Sequence, residues 1–197
     1  MSFFTSFQQN KNLVLSILGV SLIFIVGQWF QSDFVFDRSD IDTGQWWTII
    51  SGNFTHSNIP HLLLNFTGLC ILGLLFIDNL STRTFIFSII FLAVIVGLGL
   101  WIYTPEIDRY YGFSGILYGL YFVAAVNAIL HKDIFTGVSV AFLIAGKIVW
   151  DYFTGGNQSS ADLIGIPVAN DAHLYGFIGA IVISAFIIIQ FRLKKNR

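Results

Sequence analysis

Long apolar runs alternate with short polar stretches along the chain, at about Asn12 to Phe30, Pro60 to Ile77, Phe85 to Tyr103, Phe113 to Ile129, Ile134 to Trp150 and Ala172 to Phe191. Each is close to the roughly 20 residues that carry a helix across a bilayer. The pattern predicts six membrane-spanning helices. The first run is too long for a signal peptide, and Gln31-Ser32-Asp33 behind it lacks the small residues of a cleavage site, so it reads as a retained helix. An even number of spans puts both ends on one side. Lys11, Arg83, Lys132, Arg192, Lys194, Lys195 and Arg197 share that side, against Arg38 and Arg109 opposite, which makes both termini cytoplasmic. Asp33, Asp37, Asp40, Asp42, Glu106, Asp108 and Asp162 then face outward.

Composition agrees with this pattern and narrows the function classes. The 197 residues are 55% apolar and only 11% charged, with a mean hydropathy of +0.76, which excludes a soluble domain built around one core. No basic stripe supports nucleic-acid binding. The single cysteine, Cys70, lies in an apolar run and is a packing residue. Residues 1–197 read as one membrane domain, with no metal and no cofactor expected.

Three polar interruptions carry candidate chemistry. The first outer loop, from about Gln31 to Ile59, is unusually apolar, with Trp46-Trp47-Thr48-Ile49-Ile50 and Phe54, and is expected to lie partly in the outer leaflet against the protein. It ends in Thr55-His56-Ser57-Asn58-Ile59-Pro60-His61. Ser57 or Asn58 can cap the second helix and Pro60 suits its first turn. His61 and Asn65 then lie one turn apart on one face, a costly arrangement in a membrane unless the two are paired or used. His56 is expected to hydrogen-bond its own loop.

The second interruption is Gly112-Phe113-Ser114-Gly115. By itself this tetrapeptide is ordinary helix packing, since Gly115 and Gly119 form a small-xxx-small pair. The run behind it spans only 17 residues from Phe113 to Ile129, roughly 25 Å at ~1.5 Å per residue. With its inner end fixed by His131-Lys132-Asp133, Ser114 is expected below the outer membrane surface, in a first turn with unpaired N–H groups and a positive dipole end. Such a place can stabilise an oxyanion. The third interruption, Ala172-His173-Leu174-Tyr175-Gly176, puts an imidazole near the outer end of the last helix. Gly176 and Gly179 would let that helix approach Gly115 and Gly119 closely enough for a serine–histidine hydrogen bond. His173 can take the proton of Ser114 and return it to a leaving amine. Asp171, two residues before His173, points some 200° away around a helix and is not expected to orient the ring, whereas Tyr118 can pack on it. Lys147 and Asp151, flanking Trp150, read as an i,i+4 ion pair with a snorkelling lysine, or as a contact to substrate or acceptor. Asp78 and Arg83 read as boundary residues.

Six spans, His56 with His61-Leu62-Leu63-Leu64-Asn65, Gly112-Phe113-Ser114-Gly115 with Tyr118, and Ala172-His173-Leu174-Tyr175-Gly176 together resemble the rhomboid intramembrane serine proteases across essentially the whole chain. The resemblance implies an all-α, six-helix rhomboid-like bundle with Ser114 and His173 as catalytic dyad. It also implies an oxyanion hole made of His61, Asn65 and the Ser114 N–H, with Tyr118 supporting the histidine. Rhomboids usually carry Trp-Arg in the first loop where this chain has Trp47-Thr48, their acidic motif is only loosely echoed by Gly73 and Asp78, and Ala180 stands in a usual glycine position. The compact chain, the stretch Gly146-Lys147-Ile148-Val149-Trp150-Asp151 and Gly165-Ile166-Pro167-Val168 are similar to the rhombosortase branch. That likeness implies a bacterial inner-membrane enzyme acting on the C-terminal sorting tail of an exported protein, made of a glycine-rich motif, a membrane helix and a basic cluster, with release to water or transfer to an amine. A general rhomboid cleaving single-span proteins is one alternative. A non-enzymatic transporter or channel lined by His61, Asn65, Ser114 and His173 is another, although no mid-span carboxylate or internal proline favours it.

Overall fold

The computed structural model describes residues 3–156 and 158–196; Arg197, one of the basic residues counted above, lies outside them. The helices are α1 (Phe3–Gln9), α2 (Lys11–Trp29), α3 (Gln31–Phe34), α4 (Arg38–Asp42), α5 (Thr48–Ser51), α6 (Ile59–Phe76), α7 (Thr82–Tyr103), α8 (Ser114–Leu130), α9 (Ile134–Thr154), α10 (Gln158–Ile164) and α11 (Asn170–Lys195). Two short strands, β1 (Phe36–Asp37) and β2 (Arg109–Tyr110), join the segment between α3 and α4 to the one between α7 and α8.

Five of these helices, α2, α6, α7, α9 and α11, are long and apolar enough to cross a membrane. The fourth apolar run forms the shorter α8, 17 residues that begin one position later than expected, at Ser114. The six spans expected from sequence are therefore five by length plus this short helix. It is short because the chain before it is drawn into the protein as loop and strand. α8 is the hub of the bundle, packed by α6, α7, α9 and α11, with α2 covering α6 and α7. Leu69, Leu72, Phe76, Leu92, Leu120 and Val123 are fully buried around it. The outward faces carry apolar side chains such as Phe135, Phe142, Tyr152 and Phe153 on α9, as expected where lipid replaces water.

The region between α2 and α6 is more ordered than its sequence suggests. Trp46, Trp47 and Ile50 are exposed while Thr48 and Ile49 are buried. A Cβ on Gly97 would meet the Ile49 carbonyl, so α5 rests directly on the α7 backbone. Strand β1 pairs antiparallel with β2, Phe36 opposite Tyr110 and Asp37 opposite Arg109. This small sheet departs from the purely helical expectation, because two-residue strands leave no readable alternation in sequence.

Arg38 does the anchoring that Trp47-Thr48 cannot. Its guanidinium donates to the carbonyls of Leu100 at 2.7 Å, Trp101 at 3.0 Å, Thr104 at 2.7 Å and Ile107 at 2.9 Å. Three of these carbonyls lie at the C-terminal end of α7, where those of Leu100 and Thr104 also accept the Thr104 and Ile107 amides and have a second lone pair to offer. The ring of Trp101 lies 5.0 Å from the guanidinium carbon and adds a cation–π contact.

Arg38→Gln is expected to destabilise the protein by about 2 kcal/mol, because charged hydrogen bonds of this kind contribute ~1.5–3 kcal/mol each and water replaces part of the loss. Arg38→Lys should rescue little, since an ammonium cannot span four acceptors set in a fork; thermal unfolding in detergent measures both. The Ser39 hydroxyl, with Arg109, holds the Asp37 carboxyl below its ordinary value of 3.8. A depressed carboxylate stabilises the fold above its unfolded pKa, and that contribution disappears as pH falls through the folded value. The stability of wild type and Asp37→Asn should therefore differ above pH 3.8 and converge below it.

Candidate active site

Ser114 is the first residue of α8, with Phe113 as its N-cap. The first helical acceptor contact runs from the Leu117 N–H to the Phe113 carbonyl at 2.9 Å, and the Gly115 N–H is taken by the Tyr110 hydroxyl, which leaves the Ser114 amide open beside its own hydroxyl at the positive end of the helix dipole. The approach to Ser114 is held from two sides. The Tyr110 hydroxyl donates to the Gly112 carbonyl at 2.7 Å, and Gly112 has φ +118°, a conformation that side chains strain to adopt. A Cβ there would also lie 2.7 Å from His61 Nε2. Gly112 thus does more than let the loop turn: it gives the His61 ring its place against the serine loop.

His173, in the first turn of α11, is 5% exposed, and its Nε2 is 2.9 Å from Ser114 Oγ, a distance at which the hydroxyl donates to the ring nitrogen. The helices meet backbone to backbone to bring this about. A Cβ on Gly115 would lie 2.7 Å from the Ala172 carbonyl, one on Gly119 2.7 Å from the Gly176 carbonyl, and one on Gly176 would overlap the Gly115 carbonyl. Gly179 faces Leu92 and Ile95 of α7 instead of α8, because three further residues turn it to the neighbouring helix. Tyr118, one turn below Ser114, stacks on His173 with centroids 4.2 Å apart and planes 6° from parallel. Among the described residues His173 Nδ1 has no hydrogen-bond partner, and Asp171 lies at the rim of the cleft. A further brace absent from the sequence reading is Tyr175. Its hydroxyl shares a 2.8 Å hydrogen bond with Thr104 at the end of α7, and its ring lies flat on Gly99.

His61 and Asn65 are both buried on the same face of α6. Asn58 caps the helix, accepting from the His61 N–H at 2.8 Å. His61 Nδ1 is 3.5 Å from the Ser57 amide N–H and 3.1 Å from the Ser57 hydroxyl, and that hydroxyl also donates to the Ile164 carbonyl at 2.7 Å. Asn65 donates to the His61 carbonyl at 3.1 Å with one of its two amide N–H groups. His56 does not hydrogen-bond its loop through the ring: among the described residues both ring nitrogens lack partners. The ring instead packs edge-on against Phe24 at 4.9 Å and His61 at 5.2 Å, and burial pushes its pKa down to about 3, which keeps it neutral.

Ser114 and His61 open into a cleft of about 570 Å³ walled by Glu106 to Tyr111 on one side and by Ile164 and Ile166 to Asp171 on the other. Lys147, Trp150 and Asp151 are not part of this wall. Lys147 is ion-paired with Asp151 on α9, Asp151 is buried, and Trp150 is 64% exposed on the outside of the bundle. No group of three or more potential metal-ligating side chains occurs among the described residues. A hydroxyl bonded to a buried imidazole, beside an open amide and a second imidazole, is equipped for acyl transfer through a covalent intermediate.

Gly176→Ala is expected to lower any Ser114-dependent turnover about a hundredfold, the scale of a ~1 Å misplacement of reacting groups. Gly146→Ala on α9, where a Cβ would meet nothing within 4 Å, should leave it unchanged. Parallel rates with thermal unfolding as a control decide this.

No curated protein matches the chain. The rhomboid domain model matches residues 43–190, an interval that contains His56, His61, Asn65, Ser114, Tyr118 and His173. The chain belongs to the rhomboid family, whose members are intramembrane serine proteases acting on membrane proteins in the bilayer.

Proposed function

We propose that this rhomboid uses Ser114 as nucleophile and His173 as general base and acid. The 2.9 Å Ser114–His173 contact carries the assignment. As Oγ bonds to the scissile carbonyl carbon, its proton moves to His173 Nε2, and the carbonyl oxygen becomes an oxyanion. The Ser114 N–H and His61 Nε2–H meet that oxyanion. This role needs the His61 tautomer in which Nδ1 accepts, from the Ser57 amide and from the Ser57 hydroxyl once its single proton turns away from the Ile164 carbonyl. Asn65 steadies the His61 turn with one N–H and gives the other to the oxyanion. The imidazolium is stabilised by the face of Tyr118, a cation–π contact in place of a carboxylate. It protonates the leaving amine, the C–N bond breaks, and water or an amine then attacks the acyl-enzyme.

The substrate in this reading is the C-terminal sorting tail of an exported protein, as for the rhombosortase branch. Supporting it, the Gly165-Ile166-Pro167-Val168 stretch that suggested the branch contributes directly to the cleft wall facing Ser114. A glycine-rich segment leaves its helix easily and extends into such a cleft at little steric cost. We place six spans in a bacterial inner membrane with both termini cytoplasmic and the cleft outward, the apolar face of Trp46, Trp47 and Ile50 resting in the outer leaflet. Arg83, Lys132 and Lys194, at or beyond the helix ends remote from Ser114, support that orientation.

Cleavage of a single-span protein bearing such a tail should fall at least about a thousandfold in Ser114→Ala and in His173→Ala, the scale for losing one member of a cooperating dyad; unchanged cleavage in either removes the assignment. Tyr118→Phe should keep most activity and Tyr118→Ala lose most of it. Replacing the tail's glycine-rich segment with an unrelated sequence separates a sorting enzyme from a general rhomboid, because equal cleavage of the two rejects the sorting reading. Lys147→Met tests whether α9 contacts substrate or acceptor: a changed ratio of transfer to hydrolysis supports that contact, and unchanged rates reduce the pair to an intrahelical bridge.

A further inference from the structure

A second cleft, of about 450 Å³, opens at the end of the bundle remote from Ser114, where α6, α7, α8 and α11 terminate beside Asn10. Its polar lining includes several groups with no hydrogen-bond partner among the described residues. Asn127 is only 7% exposed and donates to the Val123 carbonyl at 3.0 Å, and among the described residues no donor reaches its Oδ1. The Gln190 amide and the Lys194 ammonium also lack partners among the described residues, and both line the cleft. Asp78 accepts from Ser6 at 2.9 Å and from Asn10 at a stretched 3.4 Å, so its carboxylate retains acceptor capacity. One part of the cleft therefore offers acceptors, and another offers a cation and an amide donor. Asn79, Ser81, Thr84 and His131 also line it, and Leu80, Phe186, Ile187 and Phe191 form its apolar side, with Phe186 56% and Phe191 37% exposed on the flank of α11.

We propose that this cleft binds the headgroup of a phospholipid carrying a primary ammonium beside its phosphodiester, as phosphatidylethanolamine does. The ammonium donates to Asn127 Oδ1 and Asp78, and the phosphodiester accepts from Lys194 and Gln190. The acyl chains run along Phe186 and Phe191. Asn127 Oδ1 is an acceptor open to the cleft, and a primary ammonium can donate to it whereas the trimethylated ammonium of phosphatidylcholine has no N–H to give. The site is distinct from the serine–histidine pair and independent of its chemistry.

The test uses purified, delipidated full-length protein and native mass spectrometry with three lipids of identical acyl chains: phosphatidylethanolamine, phosphatidylcholine and phosphatidylglycerol. We expect phosphatidylethanolamine to be retained about tenfold more than phosphatidylcholine. That preference should vanish in Asn127→Leu and persist in Asn127→Asp, which keeps an acceptor. Lys194→Gln should weaken phosphatidylethanolamine and phosphatidylglycerol together, because both use the phosphate contact. Ser114 labelling that stays at the wild-type level in every variant shows that the fold is intact. Soluble glycerophosphoethanolamine separates the sources: displacing lipid only at large excess supports the lipid, and binding more tightly than the lipid overturns it. Equal retention of the ethanolamine and choline lipids, or a preference untouched by Asn127→Leu, overturns the proposal.

Discussion

Everything at the candidate site depends on how closely two helix backbones can approach. Without water to drive apolar surfaces together, membrane helices associate through packing and polar contacts, and small residues set the distance. Where α8 crosses α11, Gly115 and Gly176 leave no side chain between the backbones. The hydrogen bond between Ser114 and His173 is a consequence of that crossing, since both residues sit within a turn of it. Tyr118 then fills the space beside the imidazole, so the ring is oriented by stacking where no carboxylate reaches Nδ1.

A second constraint governs the serine's depth. The chain entering α8 is gripped by pairing of β2 with β1 and by the Tyr110 hydroxyl on Gly112. β1 runs directly into Arg38, which is bound to the end of α7. The segment between α2 and α6 is thus a brace for the nucleophile's approach as well as a cover for the bundle. The same economy appears at Gly112, whose left-handed backbone admits the turn and whose missing side chain admits His61.

Much of this was legible in the sequence because membrane helices declare themselves by long apolar runs and because polar residues inside them are costly enough to be informative. Ser114, His173, His61 and Asn65 stood out on that ground, and the glycine spacing announced the α8–α11 crossing. The stacking of Tyr118 followed from its position one turn below Ser114. What stayed hidden was carried by contacts without periodicity. Arg38 reads as a loop charge until its four carbonyl partners, 62 to 69 residues away, are seen. Ser57 and Tyr175 each act through one long-range hydrogen bond, and nothing in their neighbours signals it; Tyr110 acts on Gly112, two residues on, through a turn that leaves no pattern. His56 was misread because a histidine in a polar loop suggests hydrogen bonding, whereas here Phe24 and His61 enclose its ring. Gly179 was assigned to the wrong neighbour because a small-residue spacing names a close contact without naming the partner.

The central claim is that Ser114 is activated by His173 across this helix crossing. Its most direct test is peptide mapping by mass spectrometry after timed exposure of the purified protein to a fluorophosphonate. A single adduct on Ser114, forming much more slowly in His173→Ala, is the result expected. An adduct elsewhere, or Ser114 labelling at the wild-type rate without His173, contradicts it.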